Sequence, residues 1–180
     1  MSRFDIENCK LDGIYHLTRK PIVDHRGSLE RMFCQEDLLS VLPDFEIKQI
    51  NRTITRAKGA VRGMHFQNPP FSETKIITCI RGSVFDVAVD IRKGSATFGK
   101  WISVELSDEK QNSIIIPHGF AHGFQTLCEN CEMLYFHSEF YNAGAEGGLS
   151  FKDESVGISW PLEVTEISDR DKSHPKLNEL

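Results

Sequence analysis

The chain has no excess of basic residues: 21 Lys and Arg stand against 26 Asp and Glu, a formal charge of -5 over 180 residues. A face built to follow a nucleic-acid backbone normally needs the reverse balance, so no nucleic-acid partner is expected. A small anion remains within reach, because a few well-placed Arg or Lys suffice for it. Long apolar runs are missing too: no stretch attains the roughly 20 residues of a membrane-spanning helix. The start, Met1-Ser2-Arg3-Phe4-Asp5-Ile6-Glu7, places charges where a secretory signal needs an apolar run. The expectation is a soluble, cytoplasmic chain with no membrane partner. Cysteine is sparse and odd in number: Cys9, Cys34, Cys79, Cys128 and Cys131 are scattered among apolar residues, which suits reduced thiols better than a disulfide framework. Cys128 and Cys131 are close in sequence, but two further zinc ligands or a helix N-terminus are wanting. They read as ordinary thiols on a hairpin turn. No repeat, low-complexity tract or linker divides the chain, and 39% hydrophobic content over this length predicts one domain spanning 1–180.

What is present is short apolar alternation broken at regular intervals by turn residues, the pattern of an all-β sandwich or barrel. Strands are expected over Leu29–Cys34, Ile47–Thr55, Lys75–Ile80, Val84–Ile91, Trp101–Leu106, Ser113–Ile116 and Glu132–Phe140. Lys58-Gly59, Asn68-Pro69-Pro70, Arg81-Gly82, Lys93-Gly94, Ser107-Asp108 and His118-Gly119 are turn formers between them. Residues Gln35–Leu42 predict a short helix. Between Val84 and Ile91 a period of two separates Phe85, Val87, Val89 and Ile91, read as the core face, from Asp86 and Asp90. Carboxylates among small apolar residues suit a barrel interior turning into a polar cavity; a solvated strand face is the plainer alternative.

Two histidine stretches tip that balance. Arg62-Gly63-Met64-His65-Phe66-Gln67 places a basic residue, a glycine and a histidine just before a strand, and Pro117-His118-Gly119-Phe120-Ala121-His122 has the Pro-x-Gly-x-x-His spacing of the second cupin motif, which it resembles. Where metal-binding cupins carry a second histidine, this chain has Gln67, a poor ligand for a transition metal, and Glu73 lies slightly beyond the usual glutamate position. No metal and no other cofactor is expected, which leaves His65 and His122 for other work.

Arg62 to Gln67, Lys75, Asp86 to Arg92, Ser95 to Gly99, Ile116 to Phe124, Tyr135, Tyr141 and Trp160-Pro161 together resemble the dTDP-4-dehydrorhamnose 3,5-epimerase family, from about Gly13 to the Asp171 region. The resemblance implies a cupin-type β-barrel or jelly roll with a few short helices, and an enzyme that inverts C3, C5 or both in a nucleotide-diphosphate-linked 4-keto-6-deoxy sugar. His65 is the implied base, with a carboxylate from Ser168-Asp169-Arg170-Asp171 behind it; Asp171 fits the family segment and Asp169 competes. An unperturbed imidazole, with a pKa of about 6.5, suits base work near neutral pH. Lys75 is implied beside the sugar ketone, Tyr135 as the opposite-face acid, and His122 with Asp86 as an orienting pair. Arg26 and Arg62 resemble the arginines that engage the diphosphate. Gln49 and Asn51 match positions touching the sugar nucleotide, Tyr141 an aromatic stacked on the base, and Glu146 its polar neighbour. In the family each site borrows the partner's N-terminal strands, so a homodimer is implied. After Arg26-Gly27 the chain reads Ser28-Leu29-Glu30-Arg31-Met32-Phe33 rather than the family's usual aromatic residues followed by a glutamate. That departure leaves open a CDP- or GDP-linked sugar. A metal-dependent cupin isomerase or oxygenase and a non-catalytic sugar-binding barrel are the competing classes.

Overall fold

The structure, a computed structural model, describes residues 2–180. Its strands are β1 (Phe4–Asn8), β2 (Tyr15–Arg19), β3 (Ile22–Asp24), β4 (Gly27–Leu29), β5 (Gln49–Thr55), β6 (Val61–Gln67), β7 (Lys75–Arg81), β8 (Ser83–Asp90), β9 (Trp101–Ser107), β10 (Asn112–Ile116), β11 (Phe120–Thr126), β12 (Cys131–His137) and β13 (Glu146–Gly148). Two short helices, α1 (Gln35–Leu38) and α2 (Asp169–Lys172), complete the regular elements with a 3-10 turn at Leu177–Glu179. One sheet runs β1-β2-β10-β7-β12-β5, the other β13-β6-β11-β8-β9, and the neighbours in both are antiparallel. The chain is all-β, as the alternation predicts, and the two facing sheets are consistent with a cupin-like jelly roll.

Alternation decides what lies between the sheets. Ile77, Cys79, Ile114, Ile116 and Met133 of the first sheet meet Val84, Ala88, Leu106, Phe120 and Phe124 of the second. Each such aliphatic side chain, fully withdrawn from water, stabilises the fold by about 1.5–3 kcal/mol relative to exposure. On β8 both faces are buried: Val84, Asp86, Ala88 and Asp90 point inward, while Val87 and Val89 pack outward beneath Leu149, Val156 and Leu177. The Asp86 face is thus the barrel interior, and the apolar face read as core is roofed by the C-terminal tail.

Other expectations need correcting. Of Leu29–Cys34 only Leu29 is in a strand; Met32, Phe33 and Cys34 join Leu38, Leu42, Phe45 and Phe136 in a satellite cluster, so their burial comes without sheet pairing. The α1 helix stops at Leu38, short of Leu42, where Pro43 disfavours helical backbone in the residue before it. Arg62 and His65 lie inside β6 rather than before a strand. Cys128 and Cys131 lie at the β11–β12 turn with sulfurs 3.5 Å apart, but that turn passes from one sheet to the other and is no hairpin. Both thiols are free, and burial pushes that of Cys131 up to about 11.

Candidate active site

The site forms where β6 and β11 come unusually close. A Cβ on Gly63, whose φ is 121°, would stand 2.6 Å from Gly123 Cα and 2.8 Å from the His122 carbonyl oxygen. Only glycine permits that approach and that backbone angle. A register shift between His122 and Phe124 accompanies it, and His65 and His122 become cross-strand partners.

His65 Nε2 lies 2.9 Å from Asp171 Oδ1. The other carboxylate oxygen accepts from the Gly63 amide at 3.0 Å, and the Asp171 amide donates to Ser168 Oγ, the N-cap of α2, at 3.1 Å. Burial works against charge on Asp171, yet the bonds from His65 and Gly63 outweigh it and hold the carboxyl well below the usual range. Asp171 is therefore ionised, and as the nearer and anionic partner of Nε2, ahead of Arg170 Nη2 at 3.1 Å, it selects the tautomer with the proton on Nε2 and the lone pair on Nδ1 as the basic position. Asp169, the competing carboxylate, has a fully exposed side chain and pairs with Lys172.

A cleft of about 260 Å³ opens between the sheets in front of His65. His65, His122 and Phe124 line one wall; Asn51, Thr53, Lys75 and Tyr135 line the other. Asp86, fully buried behind His122, accepts from its Nε2 at 2.8 Å; burial pushes this carboxyl up, opposed by His122 and Lys75. Its Oδ1 has no partner among the described residues. Burial likewise pushes the Tyr135 phenol well up, so at neutral pH it is a protonated acid. The Lys75 ammonium lies 3.0 Å from Glu73.

Arg62 lies on the rim with Nε 2.9 Å from Thr55 Oγ1. Tyr141, 58% exposed, donates its hydroxyl to Glu146 and its amide to Gln49 Oε1 at 2.9 Å. Arg26 is not brought there: it pairs with Asp24 on the exposed β3–β4 hairpin, which joins neither large sheet. Three cleft residues escaped the sequence reading of the site, Glu73 as a buried carboxylate, His137 and Arg170, and so did His174, which lies outside the cleft beside Asp171. His137 carried a usable signal, since Tyr135-x-His137 puts both on one strand face. A larger groove of about 790 Å³ runs along Val164–Lys172 on the far side of His65, but it lacks Lys75 and Tyr135, so the chemistry converges in the smaller cleft.

Metal fit can be judged from the donors. His65, Asp171 and His174 offer three ligand atoms within 4.8 Å of one another. The Arg170 guanidinium already occupies that space, with Nη2 3.1 Å from His65 Nε2 and Nε 3.3 Å from Asp171 Oδ1, so a cation would have to displace a cation. Gln67 is committed elsewhere: it donates to the Phe71 and Phe140 carbonyls and accepts from the Asn142 amide.

Comparison with known proteins gives the family. The family described as dTDP-4-dehydrorhamnose 3,5-epimerase matches residues 8–179. A dTDP-4-dehydrorhamnose 3,5-epimerase of Sinorhizobium fredii is 41% identical over 158 residues, 87% of this chain and 81% of that one. The crystal structure of a dTDP-6-deoxy-D-glucose-3,5-epimerase from Legionella pneumophila, in complex with dTDP-4-keto-L-rhamnose, superposes with a TM-score of 0.92 at 34% identity, covering 97% of this chain and 93% of that one. A 3'-monoepimerase from Streptomyces bikiniensis in complex with dTDP-quinovose gives 0.88 at 30% identity, covering 96% and 87%. With nearly its whole length matched in sequence and in backbone, this chain belongs to the dTDP-4-dehydrorhamnose 3,5-epimerase family.

Proposed function

We propose that this enzyme inverts C3 and C5 of dTDP-4-dehydro-6-deoxyglucose, or a close nucleotide-linked 4-keto-6-deoxy sugar, in the cytoplasmic synthesis of dTDP-rhamnose for surface polysaccharide. The observation that carries the reading is a buried carboxylate 2.9 Å behind His65, with an ammonium and a phenol on the facing wall. Protons beside a ketone are weakly acidic, and their removal needs a base, a cation for the enolate oxygen and an acid on the opposite face. His65 Nδ1 takes the proton while Asp171 stabilises the imidazolium. Lys75, itself 8% exposed, holds the developing oxyanion more strongly than it would in bulk solvent. Tyr135 returns a proton from the other wall. His122, held by Asp86, orients the sugar. Arg62 takes the diphosphate; Tyr141 stacks on the base, with Glu146, Gln49 and Asn51 around it. The protein's own groups cover every proton transfer, so the mechanism calls on no metal or nicotinamide.

The β3–β4 hairpin supports a homodimer. Val23 and Leu29 are 71% and 68% exposed, Ile22 nearly half, and the two strands pair only with each other. An isolated two-stranded hairpin is marginal in water, and docking on a second copy would bury it and carry Arg26 toward the partner's diphosphate. Inversion at C3 alone is the second reading, since a Streptomyces bikiniensis 3'-monoepimerase shares this fold with a TM-score of 0.88. Incubation with dTDP-, CDP- and GDP-linked 4-keto-6-deoxy sugars in heavy water, followed by NMR, tests the chemistry and the carbons it acts on. The expected result is deuterium at carbons flanking the ketone of the dTDP sugar without added metal; no incorporation into any of them refutes the reading.

A further inference from the structure

Three histidines around the cleft are each bound to a carboxylate, and the mechanism above uses two of them. The third is His137. Its Nδ1 lies 2.8 Å from Glu73 Oε2, and its Nε2 faces the Asn51 side-chain amide at 3.4 Å, which, turned over, presents its oxygen to an Nε2–H. Glu73 and His137 are both largely withdrawn from water, with side chains 8% and 10% exposed. Such a pair is costly to bury unless each member is satisfied. Here Glu73 is: burial opposes its charge, but His137 and Lys75 together hold its carboxyl below the usual range. An ionised Glu73 accepts from Nδ1–H and directs Nε2 toward the cleft, whereas Asp171 holds His65 through the other ring nitrogen.

Position decides what the pair can do. His65 and His122 stand on β6 and β11, whereas His137 stands two residues beyond Tyr135 on β12 and opposite Lys75 on β7. The Tyr135 and His137 rings stack with centroids 6.0 Å apart. The wall facing the base therefore carries two proton donors side by side, with the ketone-binding cation next to them. A ketone has two flanking carbons, which C–C bonds of about 1.5 Å place about 2.5 Å apart. Inversion at both needs a donor opposite His65 at each position, and one phenol is poorly placed for two carbons unless the ring shifts between steps.

We propose that His137, held by Glu73, is a second catalytic acid that returns the proton at one of the two carbons while Tyr135 serves the other. In that half-reaction His65 takes the carbon-bound proton and the enolate forms. The C–H bond is remade from the opposite face with the Nε2 proton of the His137 imidazolium. Water then removes the proton from His65 and restores the one on His137, so protons balance over a turnover. Glu73 and Lys75 are the charged groups that face His137; Asn51, Gln49 and Tyr135 complete its surroundings without a charge.

This proposal rests on His65 acting as base, and the test separates the two. Purified parent protein, His137→Gln and Glu73→Gln are incubated with dTDP-4-keto-6-deoxyglucose in heavy water, and exchange and configuration are read at each carbon by NMR. In the parent, both carbons exchange and both invert. In His137→Gln, exchange persists at both carbons while inversion at one falls by roughly 10²–10⁴-fold. Glu73→Gln shows the same skew to a smaller degree. A parent that exchanges at neither carbon overturns the His65 reading and this one with it, and a parent that inverts only one carbon overturns the role given to His137. Variants that invert both carbons in the parent's ratio overturn the His137 assignment alone. So does parallel loss of exchange and inversion in both variants, which marks the pair as structural.

Discussion

Replacing Asp171 by Asn keeps the shape of the dyad and removes its charge. In the parent, the carboxylate accepts from His65 Nε2 at 2.9 Å and from the Gly63 amide at 3.0 Å, and is 2% exposed. Asparagine still has one oxygen for Gly63, but turns its NH2 toward His65. An imidazole facing a donor presents its lone pair to it, so the proton moves to Nδ1, the atom that has to receive the substrate proton. The loss comprises the tautomer and the charge that stabilises the imidazolium. General-base contributions of about 10²–10⁴-fold set the scale, equivalent to ~3–5 kcal/mol in barrier height. KM should change little, since Asp171 stands behind the imidazole and does not line the 260 Å³ cleft. The assay is proton wash-out from a 4-keto sugar in heavy water, with thermal unfolding as a control. Retention of more than about a tenth of the parent exchange rate would refute the argument. Stability supplies an independent check. The folded-state pKa of Asp171 is depressed, so its contribution is fully present above the unfolded value, about 3.9, and is lost as pH falls toward the folded one. The parent should lose stability on acidification below about pH 4, and Asp171→Asn should lose less.

Three further outcomes are expected. In Tyr135→Phe, isotope exchange should persist while formation of inverted product falls by roughly 10²-fold or more; an equal loss of both assigns Tyr135 to packing. Gly63→Ala should destabilise the fold by about 2–4 kcal/mol in urea titration, because its Cβ meets backbone of β11 at a φ of 121°; a change below about 0.5 kcal/mol would mean that the two strands can separate freely. Val23→Asp with Leu29→Asp should convert a dimer to monomers in sedimentation velocity, and an unchanged mass would show that the hairpin is not the contact.

Legibility in the sequence followed the strength of alternation. Strands such as β7, β8 and β10, with Ile, Val and Ala in runs, could be read directly. The two that carry the histidines could not: Gly63 interrupts β6, and β11 opens behind Gly119 with Gly123 inside it, so residues that favour turns sit where strand backbones must touch. Met32 and Phe33 misled in the opposite sense, being apolar for a cluster under α1 rather than for a sheet. The choice of Asp171 over Asp169 came from resemblance, and its physical reason is the α2 cap: Ser168 binds the Asp171 amide and aims that side chain at β6, leaving Asp169 in solvent. Glu73 was weighed only as a metal ligand, because pairing it with His137 needs contact across 64 residues that no local pattern reports.

His65 and its carboxylate are separated by 106 residues, and the tail that closes the distance is laid over the second sheet from outside. During synthesis the ribosome releases every strand before it releases Asp171. A chain clipped ahead of Ser168 would keep the sequence of every strand yet lose the carboxylate behind its imidazole, so the dyad is complete only once the tail has been laid down.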